Sequence, residues 1–117
     1  MKKNEISKLT QDIVKFRDAR DWKQFHNPKD LALSLVLESA EFMEHFQWKN
    51  LAEMEKHIKE NKEEVSDELA DVLYWVLLIS HDLKIDIIEA LKRKNKKNDN
   101  KYPVEKSKGK HTKYNKL

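Results

Sequence analysis

The clearest pattern in the chain is the acidic stretch Glu63-Glu64-Val65-Ser66-Asp67-Glu68-Leu69-Ala70-Asp71, which runs straight into an unbroken apolar block, residues 72–79. Neither Gly nor Pro interrupts it, and Leu, Ala and Val recur at helical spacing, which predicts one long buried helix to about Asp82. At 100° per residue, Glu64, Glu68, Asp71 and Trp75 share one face, and Leu69, Leu73, Val76 and Leu77 fill the opposite side. Before it, residues 5–20 read as an amphipathic helix with Ile6, Leu9, Ile13, Val14 and Phe16 inward. An aromatic connector, residues 21–26, follows, with Trp22 and Phe25 read as packing residues. Asn27-Pro28 then supplies a cap and a first-turn proline for a second helix reaching about Trp48. Asn50 caps a short third helix to about Glu60, and Asn61-Lys62 breaks it. A fifth helix restarts at Lys84-Ile85-Asp86 and ends at Tyr102-Pro103. The expectation is an all-α bundle of four to five helices over residues 1–102, with residues 103–117 as a basic, extended or partly ordered tail.

Composition narrows the class without changing that picture. In 117 residues with 38% charged side chains there are one Gly and two Pro, too few turn residues for a sheet protein. No Cys is present, which removes disulfides and thiolate zinc sites and suits a reducing, cytoplasmic setting. The start MKKNEISK has no apolar run behind it, so no signal peptide is expected, and an apolar run of eight residues is too short to span a membrane. The net charge of +3 hides a division: residues 92–117 carry eleven Lys and Arg against two acids, leaving the remainder acidic. Such a basic end suits either a nucleic acid or a phosphate-bearing ligand held over an acidic site.

Acidic residues supply the candidate chemistry. On the second helix Ser34, Glu38, Glu41, His45 and Trp48 share one arc, with Glu44 at its margin and apolar residues over most of the rest. A helix apolar over most of its circumference is buried, so its glutamates are expected to point into the bundle. Two facing helices then bring Glu38 and Glu41 toward Glu68 and Asp71. Spacing alone decides little, because acids three apart also occur at Asp18/Asp21, Glu60/Glu63 and Asp86/Glu89, where a solvated face is the plainer reading. The apolar surroundings favour a buried site instead, and unpaired anions there need a cation or a proton. Four carboxylates without Cys suit a hard octahedral ion such as Mg²⁺ or Mn²⁺, one or more of them. A di-iron bundle asks for Glu-x-x-His pairs, and no His here has a Glu three residues before it.

Glu38-x-x-Glu41 followed after 26 residues by Glu68-x-x-Asp71 resembles the signature of the all-α, MazG-like nucleoside triphosphate pyrophosphohydrolases. The likeness to their dCTP pyrophosphatase branch is continuous through RDWKQFHNPKDLALSLVLESAEFMEHFQWK, DELADVLYWVLLIS and the segment with Lys94, Asn98, Lys101 and Tyr102-Pro103. Residues 50–66 carry no resemblance. The resemblance implies an oligomeric helical enzyme, dimer or tetramer, with residues 1–102 as its catalytic domain. It implies Mg²⁺-dependent cleavage of a nucleotide, dCTP or a modified dCTP, between the α and β phosphates, in a role that sanitises the nucleotide pool. Glu38, Glu41, Glu68 and Asp71 would be the metal ligands and catalytic residues, with one of these glutamates or Glu64 taking the water's proton.

The same resemblance places His26, Trp48 and Trp75 at the base, where flat rings suit a nucleobase and Trp75 stands in place of a tyrosine. Lys94, Asn98 and Lys101 recur at i, i+4 and i+7 on one helical face before Tyr102, and the related enzymes share the Lys and the Asn, which suggests a clamp on the phosphates. Two rivals stand beside this reading. One is a helical interaction module that binds nucleic acid through its basic end, although its lysines are not interleaved with an aromatic platform. The other is a relative acting on dUTP or phosphoribosyl-ATP; the aromatic connector and Gln47-Trp48-Lys49 favour the dCTP-like branch.

Overall fold

The structure, a computed structural model, describes residues 3–117, with side chains from Glu5 onward. Its six helices are α1 (Lys3–Ala19), α2 (Pro28–Glu44), α3 (Leu51–Glu60), α4 (Lys62–Asp82), α5 (Ile87–Lys101) and α6 (Val104–Ser107). Short 3-10 turns occupy Lys23–Phe25 and Tyr114–Lys116, and no strand forms among the described residues. The all-α expectation therefore holds.

Local chemistry sets the boundaries. Pro28 opens α2, whose first turn is closed by Asn27 accepting from the Asp30 amide at 2.9 Å. Asn50 and Glu53 form a reciprocal capping box at α3. Asp86 caps α5 by accepting from the Glu89 amide. The second helix is shorter than expected: α2 ends at Glu44, and residues 45–48 continue as turns that leave Trp48 at φ 68°. Residues 103–117 contain the single turn α6 and the Tyr114–Lys116 turn.

The chain divides into two compact units, one up to Lys84 and one from Ile85 onward. In the first unit α4 is the central element, and α2, α1 and α3 all pack on it. Its buried apolar residues are Ile6, Leu31, Leu77 and Leu78, a small core for helices so rich in apolar residues. Leu9 and Phe16, expected inward, are exposed, as are Leu33, Val36, Leu37 and Met43 on α2 and Leu69 and Leu73 on α4. Phe25 is exposed too, while Trp22 sets its edge against Phe16 at 5.7 Å. The helical wheel identified the apolar faces, but a single chain leaves much of them uncovered.

Candidate active site

Because α2 lies along α4, Glu38 and Glu41, one turn apart, face Glu68 on the neighbouring helix. One carboxylate oxygen from each of the three falls within 4.8 Å of the others. Glu38 and Glu68 are partly buried, and one oxygen of each, Oε2, is shut away from water without a hydrogen-bond partner. Burial first, and then the neighbouring Glu41, Asp71 and Glu68, hold the Glu38 carboxyl above the usual carboxylate range. Glu68 is raised by burial and then by Glu41 and Asp71. Asp71 is thus close enough to act electrostatically, yet its oxygens lie outside the 4.8 Å cluster. Two orphaned buried oxygens in an all-oxygen donor set fit a hard divalent cation, which would neutralise the mutual repulsion.

Near this cluster lies a chain of polar groups that the sequence did not single out. His45 Nδ1 is 2.8 Å from His57 Nε2, and the Asn61 amide nitrogen reaches His57 Nδ1 at 3.3 Å and the His57 carbonyl at 3.1 Å. It ties the end of α2 to α3 and to the start of α4, and the His45 charge is felt at Glu68. The two histidines stand twelve residues apart on separate elements, so no single helical wheel joins them.

Two of the three aromatic candidates come together. The His26 and Trp75 rings meet edge to face, 5.7 Å between centroids and 72° between planes, and Tyr74 flanks Trp75 at 5.1 Å. Trp48 stands apart: 92% of it is exposed, and among the described residues no other ring touches it. A tryptophan in water on a left-handed backbone has no packing role in this chain.

Behind His26 is a second group that sequence reasoning missed. Arg17 is fully buried and grips Asp82 with both guanidinium nitrogens, Nη1 to Oδ2 at 2.7 Å and Nη2 to Oδ1 at 2.9 Å. Its Nη1 also faces His26 Nδ1 at 3.4 Å. Its signal was present in the spacing, since Ile6, Ile13 and Arg17 lie on one stripe of α1, but a charged residue there reads as solvated.

The expected phosphate contacts Lys94, Asn98 and Lys101 lie on α5, with Tyr102 at its C-cap, all in the second unit. Lys94 and Asn98 are exposed. The Lys101 ammonium sits 4.6 Å from the centre of the Tyr114 ring, and Tyr114 meets Tyr102 edge to face at 6.1 Å.

Residues 33–117 match the MazG-like family. Among curated proteins, dCTP pyrophosphatase 1 of Rattus norvegicus is 38% identical over 106 residues, and that of Homo sapiens 33%. These alignments take in 89% of this chain and 62% of each relative, so the chain spans less than two thirds of their length. The crystal structure of a pyrophosphatase from Archaeoglobus fulgidus superposes with a TM-score of 0.81 at 41% identity, over 85% of this chain and 93% of that one.

Proposed function

The chain belongs to the MazG-like family, and from that premise we propose that it is a nucleotide pyrophosphohydrolase that cleaves dCTP or a modified dCTP to the monophosphate and pyrophosphate. The observation that carries this reading is the cluster of Glu38, Glu41 and Glu68 with its two orphaned buried oxygens. Support for the substrate comes from the relatives named as dCTP pyrophosphatases. A triphosphate brings roughly four negative charges, which such a cluster would repel without a cation between them.

Glu38, Glu41 and Glu68, with Asp71 beside them, would hold Mg²⁺, or Mn²⁺ in its place. Bound there, the metal supplies a polarised phosphoryl group and a water of lowered pKa. Water adds at the α phosphorus, the bond from that phosphorus to the oxygen bridging toward the β phosphorus breaks, and pyrophosphate leaves. One of these glutamates, or Glu64 one turn before Glu68, takes the water's proton. His26, Trp48 and Trp75 take the base, and Lys94, Asn98, Lys101 and Tyr102 take the phosphates. The catalytic unit is residues 1–102, and it works as a homo-oligomer in the cytoplasm. Among the described residues no helix is long and apolar enough to cross a membrane.

The test is a panel of canonical and modified ribo- and deoxyribonucleoside triphosphates with Mg²⁺, products resolved by chromatography. Monophosphate and pyrophosphate in equal amounts, fastest from a cytosine deoxynucleotide, is the expected result. Turnover of purine triphosphates as fast as dCTP would remove the base assignment, and release of inorganic phosphate would remove the reaction.

A further inference from the structure

Among the described residues, the charged group within hydrogen-bond distance of the His26 ring is the Arg17 guanidinium, whose Nη1 lies 3.4 Å from Nδ1. A guanidinium has only donors, so Nδ1 must face it with its lone pair, and the ring proton of neutral His26 must then sit on Nε2. Arg17 has no freedom to do otherwise. It has no exposure to solvent, and its fork is fixed by the two bonds to Asp82, 65 residues away. Among the described residues Nε2 makes no hydrogen bond. His26 also borders a cavity of about 550 Å³, shared with Lys23, Asn27, Leu31, Asp82 and Lys84, while Trp75 presses against the imidazole at 72°.

We propose that Arg17 is a positioning residue: locked by Asp82, it fixes His26 in the Nε2–H tautomer, so that the base pocket offers a donor and takes a pyrimidine through an acceptor, a carbonyl oxygen or ring nitrogen, and not through an amino group. The inference rests on His26 being a base contact, as proposed above. Burial, and then the Arg17 charge, hold the imidazole below its ordinary pKa, which keeps it neutral with a single N–H near pH 7. A neutral imidazole free to choose either tautomer could serve as donor or acceptor at Nε2. The guanidinium removes that choice before any ligand arrives, and an amino group brought to Nε2–H would set two donors against each other.

Long-range proton–nitrogen NMR on the full chain reads the tautomer without any turnover. The wild type should show Nε2 protonated and Nδ1 bare. Replacing the pair together, Arg17→Met with Asp82→Leu, avoids stranding either charge; His26 should then show both tautomers, and KM for dCTP should rise about tenfold with kcat little changed. Should that variant not fold, Arg17→Lys serves, because one ammonium that holds Asp82 lacks the fork that reaches His26. His26→Asn should raise KM by about tenfold, and His26→Gln should recover most of that, since its amide nitrogen reaches the Nε2 position. A proton on Nδ1 in the wild type, or an unchanged tautomer once Arg17 is replaced, overturns the positioning role even where His26→Asn raises KM. If dCTP is cleaved but KM ignores His26→Asn, Trp48→Ala and Trp75→Ala alike, the base-pocket reading fails, and this inference falls with it.

Discussion

Glu38 and Glu68 each keep one oxygen out of water with nothing to bond it, and in the metal-free protein that arrangement is costly. Both carboxyls are raised, so the native state binds protons more tightly than the unfolded chain does. Their contribution to stability is full below the unfolded value of about 4.3 and is lost as pH rises through the higher native values. Metal-free protein should therefore melt lower near neutral pH than in mild acid, and Mg²⁺ should raise Tm more at neutral pH than in acid. Glu38→Gln should abolish turnover, leave Tm equal or higher without metal, and remove the gain from Mg²⁺. Full activity in a large excess of EDTA would contradict this assignment. For the proposed phosphate contacts on α5, Lys94→Ala and Asn98→Ala should each lower kcat/KM by about tenfold, on the order of 1.4 kcal/mol. Lys96→Ala and Lys97→Ala should change it little, and equal losses across all four would reduce α5 to diffuse charge.

Between elements, the Arg17–Asp82 pair fastens the end of α1 to the end of α4. Removing one partner strands the other, so Asp82→Ala should cost about 3 kcal/mol in denaturant unfolding. Arg17 holds the Asp82 carboxyl below its usual range. That stabilisation is complete above the unfolded value of about 4 and is lost as pH falls through the lower native one. The wild type should therefore lose its advantage over the variant only in strong acid. This is also where sequence reading stopped. The caps Asn27 and Asn50 are set by residues within a few positions, and the faces that carry Glu38, Glu41 and Glu68 by the periodicity of α2 and α4, so they were legible. The burial of Arg17 depends on an aspartate 65 residues away, and the His45–His57–Asn61 chain on the meeting of three helices, neither of which a local pattern encodes. Likewise α2 stopped at Glu44 because residues 45–48 turn, although their apolar pattern continues the helix.

For the whole molecule, the uncovered apolar faces govern behaviour in solution. Leu33, Val36, Leu37 and Met43 on α2 and Leu69 and Leu73 on α4 are open to water, and Leu69, Ala70, Leu73 and Val76 line an apolar hollow of about 430 Å³. Exposed patches of this kind mark association surfaces, and a core of four buried apolar side chains among the described residues leaves much of the hydrophobic drive unspent. Light scattering at micromolar concentration should report a dimer or tetramer, and a particle of 14.0 kDa would exclude it. Trp48, nearly free of protein contact, gives the chain a built-in optical reporter. An indole in water emits at long wavelength and is open to iodide quenching, whereas the partly buried Trp75 is less accessible. Nucleotide stacking on Trp48, or a second subunit covering it, should shift emission to the blue and protect it from iodide. The two causes separate by titration, because stacking follows nucleotide concentration and assembly follows protein concentration. Trp48→Phe should remove the long-wavelength part of either response, leaving the signal of Trp22 and Trp75.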